Sequence, residues 1–241
     1  MKYLYRQAWK EMLVSLDSVA EWIREGKYQH RVDAVRGGRT VAMIGGMFSG
    51  PIAARDLPMV MPAIGEKGAY TGLVLLSFRI SNDFNRLLRL RQAVNLWEQT
   101  LLSFVGASGQ TLKVLIPYRL RGGGLPTDAA KVALFQQYAY KRAAEYALAS
   151  TGIKAEEVAH DGTEHFRISD DPAVFYNEQA KPIEMAQPTE PLTELSAQII
   201  AGPSEVKLDA EVMPGYTRRE VDATKYNYIC RELAYGSELE T

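Results

Sequence analysis

The stretch Leu73-Val74-Leu75-Leu76-Ser77-Phe78-Arg79-Ile80 decides the fold class. It is a near-continuous apolar run of strand length, bounded by Gly72 and by Ser81-Asn82, and it predicts a buried strand that leads into a helix N-terminus. The predicted helix spans about Asp83 to Gln99, with Phe84, Leu87, Leu88, Val94, Trp97 and Leu101 as its apolar face and Arg86, Arg89 and Arg91 outside it. Leu101 to Val105 and Thr111 to Tyr118 then read as two strands. Between them Gly106-Ala107-Ser108-Gly109-Gln110 supplies the small residues that permit positive φ in a tight reversal. The glycine-rich loop from Arg121 ends on Asp128, a helix cap, and a long helix follows from about Ala129 to Ser150. Its predicted core face is Phe135, Tyr138, Ala139, the Arg142 stem, Tyr146 and Ala149. His165 to Ser169 reads as a last short strand. The order β-α-β-β-α-β predicts an α+β fold of the ferredoxin-like kind, with helices on one sheet face and the other face open for ligands.

Outward from this core, Gln7 to Gly26 carries apolar residues at helical spacing, Tyr28 to Val35 reads as a second short helix, and Pro58 and Pro62 mark Arg55 to Pro62 as loop. The expected organisation is one domain over 1–180, helical over 1–65 with a sheet core over 70–180. A linker and C-terminal extension then occupy 181–241. Lys181 to Pro191 holds three prolines and reads as a linker or strap, and Ala223 to Tyr235 reads as one further helix.

The chain of 241 residues is 46% apolar and carries 28 basic against 29 acidic side chains, enough apolar material for a core without staples. Cys230 is the only cysteine, which excludes an internal disulfide framework and zinc ribbons or fingers, and points to a reducing compartment. No apolar run approaches the ~18 residues that span a bilayer, and Met1 to Glu11 has no apolar signal core, so a cytoplasmic protein is expected. A net charge of −1 provides no global field for nucleic acid. Any such binding must come from local patches.

Four ordered segments carry a family resemblance: Gly26-Lys27-Tyr28 with Arg36; Gly72-Leu73-Val74; Ser108-Gly109 with Leu112-Lys113-Val114; and Ser169-Asp170-Asp171-Pro172 with Tyr176-Asn177. Over about Trp22 to Ala180 the chain resembles the VirE N-terminal domain family, primase-like N-terminal domains on proteins of bacterial mobile elements. The resemblance implies a fold like the catalytic core of the primase-polymerase superfamily, a role in replication, and a helicase-type ATPase as partner.

In primase-polymerase folds the first strand carries Asp-x-Asp, because residues i and i+2 share a strand face and can hold divalent metals together. The matching positions here are Ser77 and Arg79. A hydroxyl is a weak ligand and a guanidinium is a permanent cation, so the pair cannot hold two Mg²⁺ ions as carboxylates would. Two readings of Arg79 stand: a solvated strand-end residue, or a phosphate contact in place of the missing metal charge. Ser108-Gly109-Gln110-Thr111-Leu112-Lys113 follows the family's Ser-Gly-x-x-Leu-Lys pattern. It reads as a turn that exposes backbone N–H groups beside Lys113, or as a plain hairpin with a surface lysine. The superfamily's nucleotide-contacting histidine is absent. Asp161 matches a family acidic residue, or is a solvated loop carboxylate.

His160-Asp161-Gly162-Thr163-Glu164-His165 offers four potential ligands, but not at the spacing of His-Glu-x-x-His. Gly45 to Gly50 lacks the Lys-Ser/Thr of a phosphate-binding loop, and no Gly-x-Ser-x-Gly elbow is present. For nucleic acid the local features are Arg86, Arg89, Arg91, Lys113, Arg119, Arg121, Lys141 and Arg142, with Tyr118, Tyr138 and Tyr140 interleaved.

These readings converge on a catalytically degenerate primase-like domain that needs no cofactor and binds single-stranded or primer-template DNA, or a nucleotide, on the open sheet face. Arg79, Lys113, Arg119 and Arg121 would contact phosphates, and Ser108, Gly109 and Gln110 would shape the turn beside them. Two alternatives stay open. One is a residual nucleotidyltransferase using Mg²⁺ or Mn²⁺ held by Asp161 with Asp83 or Glu164. The other is an interaction module without nucleic-acid affinity. A C-terminal tail lying over the sheet face would bury the named residues.

Overall fold

The computed structural model describes residues 2–7, 10–37, 40–42, 49–51, 56–80, 83–156 and 164–190. Lys2–Gln7 (β1) and Lys10–Ser15 (β2) pair as an antiparallel hairpin, with Tyr3 opposite Val14 and Tyr5 opposite Met12. The helical spacing read over Gln7 to Gly26 therefore belongs to a strand as far as Ser15. The reason is local: Ser15 Oγ accepts the Ser18 N–H at 3.1 Å and starts helix α1 (Leu16–Arg24) there, burying Leu16, Val19, Ala20 and Ile23. Upstream, the period-two burial of Tyr3 and Tyr5 is a strand pattern. Helix α2 (Gln29–Gly37) lies close to its predicted place, and β3 (Thr40–Ala42) pairs antiparallel with β4 (Ser49–Pro51).

Met59–Gly65 forms β5, a strand where prolines predicted loop. Its register against β1 jumps from Leu4↔Met61 to Tyr3↔Gly65. Pro62 falls inside that irregularity, where its missing N–H takes nothing from the ladder. A region expected to be helical over 1–65 thus includes the three adjacent strands β2-β1-β5.

The core follows the predicted order: β6 (Leu73–Arg79), α3 (Phe84–Asn95), β7 (Leu102–Val105), β8 (Thr111–Leu120) and α4 (Ala129–Thr151). Strand β8 is central. It pairs antiparallel with β6 from Leu73↔Pro117 to Arg79↔Thr111, and with β7 from Leu102↔Leu115 to Val105↔Leu112. The expected last strand departs from the prediction. It contracts to β9 (Phe166–Arg167) and pairs with β5 in the first sheet, so no fourth strand stands beside β6 among the described residues. Instead the Glu156 N–H donates to the Ser77 carbonyl at 2.7 Å. Phe175–Tyr176 (β10) flanks β7, and Ile183–Met185 (β11) runs parallel to Tyr118–Leu120 with Met185 buried, so the stretch read as a linker or strap contributes a strand.

Alternation along β6 sorts two cores. Val74, Leu76, Phe78 and Ile80 face α3 and α4 together with Leu90, Val94, Phe135 and Ala139. Leu73 and Leu75 join Leu102, Phe104 and Leu115 on the other face, packed with Tyr3, Tyr5, α1 and Phe166. The face expected to be open is therefore covered along most of its length by the N-terminal elements. Side-chain faces also shift from prediction. On α3 Leu90 is buried while Phe84 is 67% exposed, and on α4 the buried ridge is Gln136, Ala139, Tyr140, Ala143 and Ala147 while Tyr146 is 42% exposed. Alanines at four-residue intervals let α4 approach the sheet closely. Asp128 caps α4 as predicted, accepting from Ala130 and Lys131 N–H groups at 3.1 Å.

By compactness the chain divides into Met1–Leu192 and Thr193–Thr241. The helix read over Ala223 to Tyr235 lies outside the described residues, as do Gly45 to Phe48 of the first glycine cluster. Among the described residues no helix is long and apolar enough to cross a membrane.

Candidate anion-binding site

Beyond the reach of the second core, the same face of β6 and β8 turns polar. Ser77 stands opposite Lys113, and Arg79 stands opposite Thr111 one step further along. Ser77 is 2% exposed and its hydroxyl is engaged on both sides. It accepts from Lys113 Nζ at 2.8 Å and donates to Glu156 Oε2 at 2.6 Å. Arg79 Nε donates to Glu156 Oε1 at 3.1 Å, from a side chain that is 71% exposed. Burial pushes the Lys113 ammonium below the ordinary lysine range, with the Glu156 charge opposing it. The Ser77 hydroxyl, then the Arg79 guanidinium and the Lys113 charge, hold the Glu156 carboxyl below its ordinary range against the effect of burial.

A second group adjoins the first. Arg36 at the end of α2 donates through Nη2 to the Asp170 carbonyl at 2.8 Å, to Ser169 Oγ at 3.2 Å and to the Gly106 carbonyl at 3.5 Å. Gly109, at φ +74°, faces the same guanidinium stem: a Cβ there would stand 3.5 Å from Arg36 Nε. Gly26 leaves room for Asp170, whose Oδ1 is 3.0 Å from the place a Cβ would take. Gly106 joins the two groups, since its own Cβ position is 3.6 Å from Lys113 Cε. The turn is built as the sequence predicts, with Gly106 N–H to the Thr111 carbonyl and Gly109 N–H to the Gly106 carbonyl, both at 2.8 Å. Ser108 and Gln110 are exposed on it, and the Ser108 hydroxyl accepts the Gln110 N–H at 3.3 Å.

Of the residues singled out in the sequence, Ser77, Arg79, Lys113 and the turn Ser108-Gly109-Gln110 come together. Arg119 and Arg121 do not. Arg119 lies six residues along β8 from Lys113, roughly 20 Å at the rise of a strand, and pairs with Glu184 of β11 at 3.0 Å. Arg91, expected outside the helix face, is partly buried in an ion pair with Asp171 at 2.5 Å. Tyr118 and Tyr140, offered as stacking groups, are 2% and 5% exposed and belong to the first core. Asp161 and His160 lie outside the described residues. Glu156 was missed, because neither motif nor periodicity brings a residue beyond the Gly152 cap back to the edge of β6.

With two cations and a hydroxyl around one carboxylate that is already hydrogen-bonded, this donor set does not suit Mg²⁺ or Mn²⁺. It suits an anion with several acceptor oxygens.

The fold and site define an α+β domain with a cationic patch at one end of an antiparallel sheet. Within it, residues 64–176, a little under half of the chain, match the family model of the BT4734-like, N-terminal domain. That match corrects the resemblance to the VirE N-terminal domain family, which it does not name. It spans β6 to β10 with Ser77, Arg79, Lys113 and Glu156; Gly26 and Arg36 precede it. No curated protein and no solved structure matches the chain.

Proposed function

We propose that this domain binds the phosphates of single-stranded DNA or of a nucleotide at the sheet end formed by Ser77, Arg79, Lys113 and the Gly106–Gln110 turn, and that it does so without two-metal polymerase chemistry. The observation that carries the reading is the placement of Lys113. A half-buried ammonium on β8 sits 2.8 Å from Ser77 Oγ of β6, and Arg79 follows Ser77 two residues along the same strand face. A fixed cation of this kind loses little on binding a phosphate, because its position is already set by packing and by a hydrogen bond.

The test is fluorescence anisotropy of a labelled single-stranded oligonucleotide titrated with the full chain at two salt concentrations. Binding that weakens as salt rises is expected, and Arg79→Ala with Lys113→Ala should flatten the salt dependence by about 0.7 per lost phosphate contact. A double variant that binds like the parent would sink the reading.

A further inference from the structure

Glu156 occupies donors that a bound phosphate would use. Its carboxylate takes the Ser77 hydroxyl hydrogen at 2.6 Å and the Arg79 Nε–H at 3.1 Å, within the field of Lys113. Its backbone is held separately. The N–H donates to the Ser77 carbonyl at 2.7 Å and the carbonyl accepts the Tyr140 hydroxyl at 2.5 Å. The carboxylate can therefore swing out of the cluster while the chain at Glu156 stays pinned to the sheet edge. An anion that is to take the Ser77 O–H and the Arg79 Nε–H must first displace it, since Glu156 already holds those two donors.

From this geometry, and resting on the anion-binding reading above, we infer that Glu156 is an internal competitor: its carboxylate stands in for the ligand's phosphate and holds the site closed until a stronger anion displaces it. The cluster of Arg79, Lys113 and Glu156 carries a net single positive charge in the resting state. Displacing or neutralising Glu156 leaves both positive charges uncompensated. The occupant it mimics has more acceptor oxygens than a carboxylate, which is the chemistry of a phosphodiester or a nucleotide phosphate. Closure by an internal group lowers the apparent affinity by the fraction of molecules in the open state.

The experiment compares five chains by anisotropy with a labelled oligothymidylate: the parent, Glu156→Gln, Glu156→Ala, Glu156→Gln with Lys113→Ala, and Arg79→Ala with Lys113→Ala. Glu156→Gln is expected to tighten binding about five-fold or more, the relief of a site at least about four-fifths closed. It should also steepen the salt dependence by about 0.7. Adding Lys113→Ala should abolish the gain. Glu156→Ala serves as the second neutral variant, and a thermal melt verifies that each chain is folded. If both neutral variants, folded, bind no more tightly than the parent while the Arg79/Lys113 double variant binds worse, the competitor role is overturned and the anion site stands. If the double variant binds like the parent, the site itself fails, and the competitor role with it.

Discussion

A Cβ on Gly72 would meet the Tyr118 carbonyl oxygen at 2.3 Å and Leu125 Cδ2 at 2.6 Å, and the residue sits at φ +73°. Gly109 has nearly the same φ, +74°, yet the nearest atom to its Cβ position is the flexible end of Arg36 at 3.5 Å. The two glycines separate backbone strain from steric exclusion. Gly109→Ala should cost only the left-handed penalty, about 1–2 kcal/mol. Gly72→Ala adds a clash with a backbone carbonyl that cannot move without breaking the β6–β8 ladder, so its total should exceed about 3 kcal/mol. Urea unfolding of both variants measures the difference, and equal losses would mean that the β8 backbone yields. At this scale the sequence was informative about Gly109, whose neighbours spell a turn. For Gly72 it offered a strand boundary and one segment of the family resemblance but no steric demand, because Tyr118 and Leu125 meet it only once β6 and β8 have paired.

Among the elements, the segment after β9 cross-links three others, α1, α3 and β7. Asp171 accepts from Arg91 Nη2 on α3 at 2.5 Å, from the Val105 N–H on β7 at 2.7 Å and from the Ala173 N–H at 3.2 Å, while its own N–H donates to the Ile23 carbonyl of α1 at 3.1 Å. The carboxylate thus ties α3 to β7 and the backbone N–H ties both to α1, with the Arg91 side chain 13% and the Asp171 side chain 7% exposed. Truncating it leaves a buried guanidinium without its counter-charge, and Asp171→Ala should lose about 3–5 kcal/mol, against a smaller loss for Asp171→Asn, which keeps an acceptor. Chemical denaturation of the two variants decides; a loss under about 1 kcal/mol for the alanine would show that Arg91 finds water instead. The Ser-Asp-Asp-Pro motif was legible as a distinctive segment, and a stabilising role could not be read from it. Helices α3 and α4 and strands β6 to β8 were legible in order from apolar runs, caps and turn residues, although Phe84 and Tyr146, read as core, are exposed. The N-terminal strands were not, since Met12, Leu13, Leu16, Val19, Ala20 and Ile23 keep helical spacing straight across the change from strand to helix at Ser15.

At the scale of the whole chain, the boundary at residue 180 expected from proline content can be set against the compact unit that ends at Leu192. The difference is β11. Met185 is 3% exposed in the first core, its carbonyl accepts the Arg121 N–H at 2.9 Å, and its strand covers the edge of β8 past the end of β7. Prolines before and after such a short strand limit its length without preventing its pairing, which is why composition alone reads it as linker. A chain ended at Ala180 loses the Met185 burial and should melt about 5 °C or more below the parent, at 2–5 kcal/mol for a buried methionine and about 2–4 °C per kcal/mol for a domain of this size. A chain ended at Leu192 keeps β11 and should melt within about 2 °C of the parent. It should also bind oligonucleotide with the parent's affinity, since Arg36, Arg79, Lys113 and Glu156 all lie inside it. Calorimetry and anisotropy on the two truncations test both statements. Equal melting temperatures for the two would remove β11 from the folding unit, whereas weaker binding by the longer one would place part of the phosphate contact beyond residue 192.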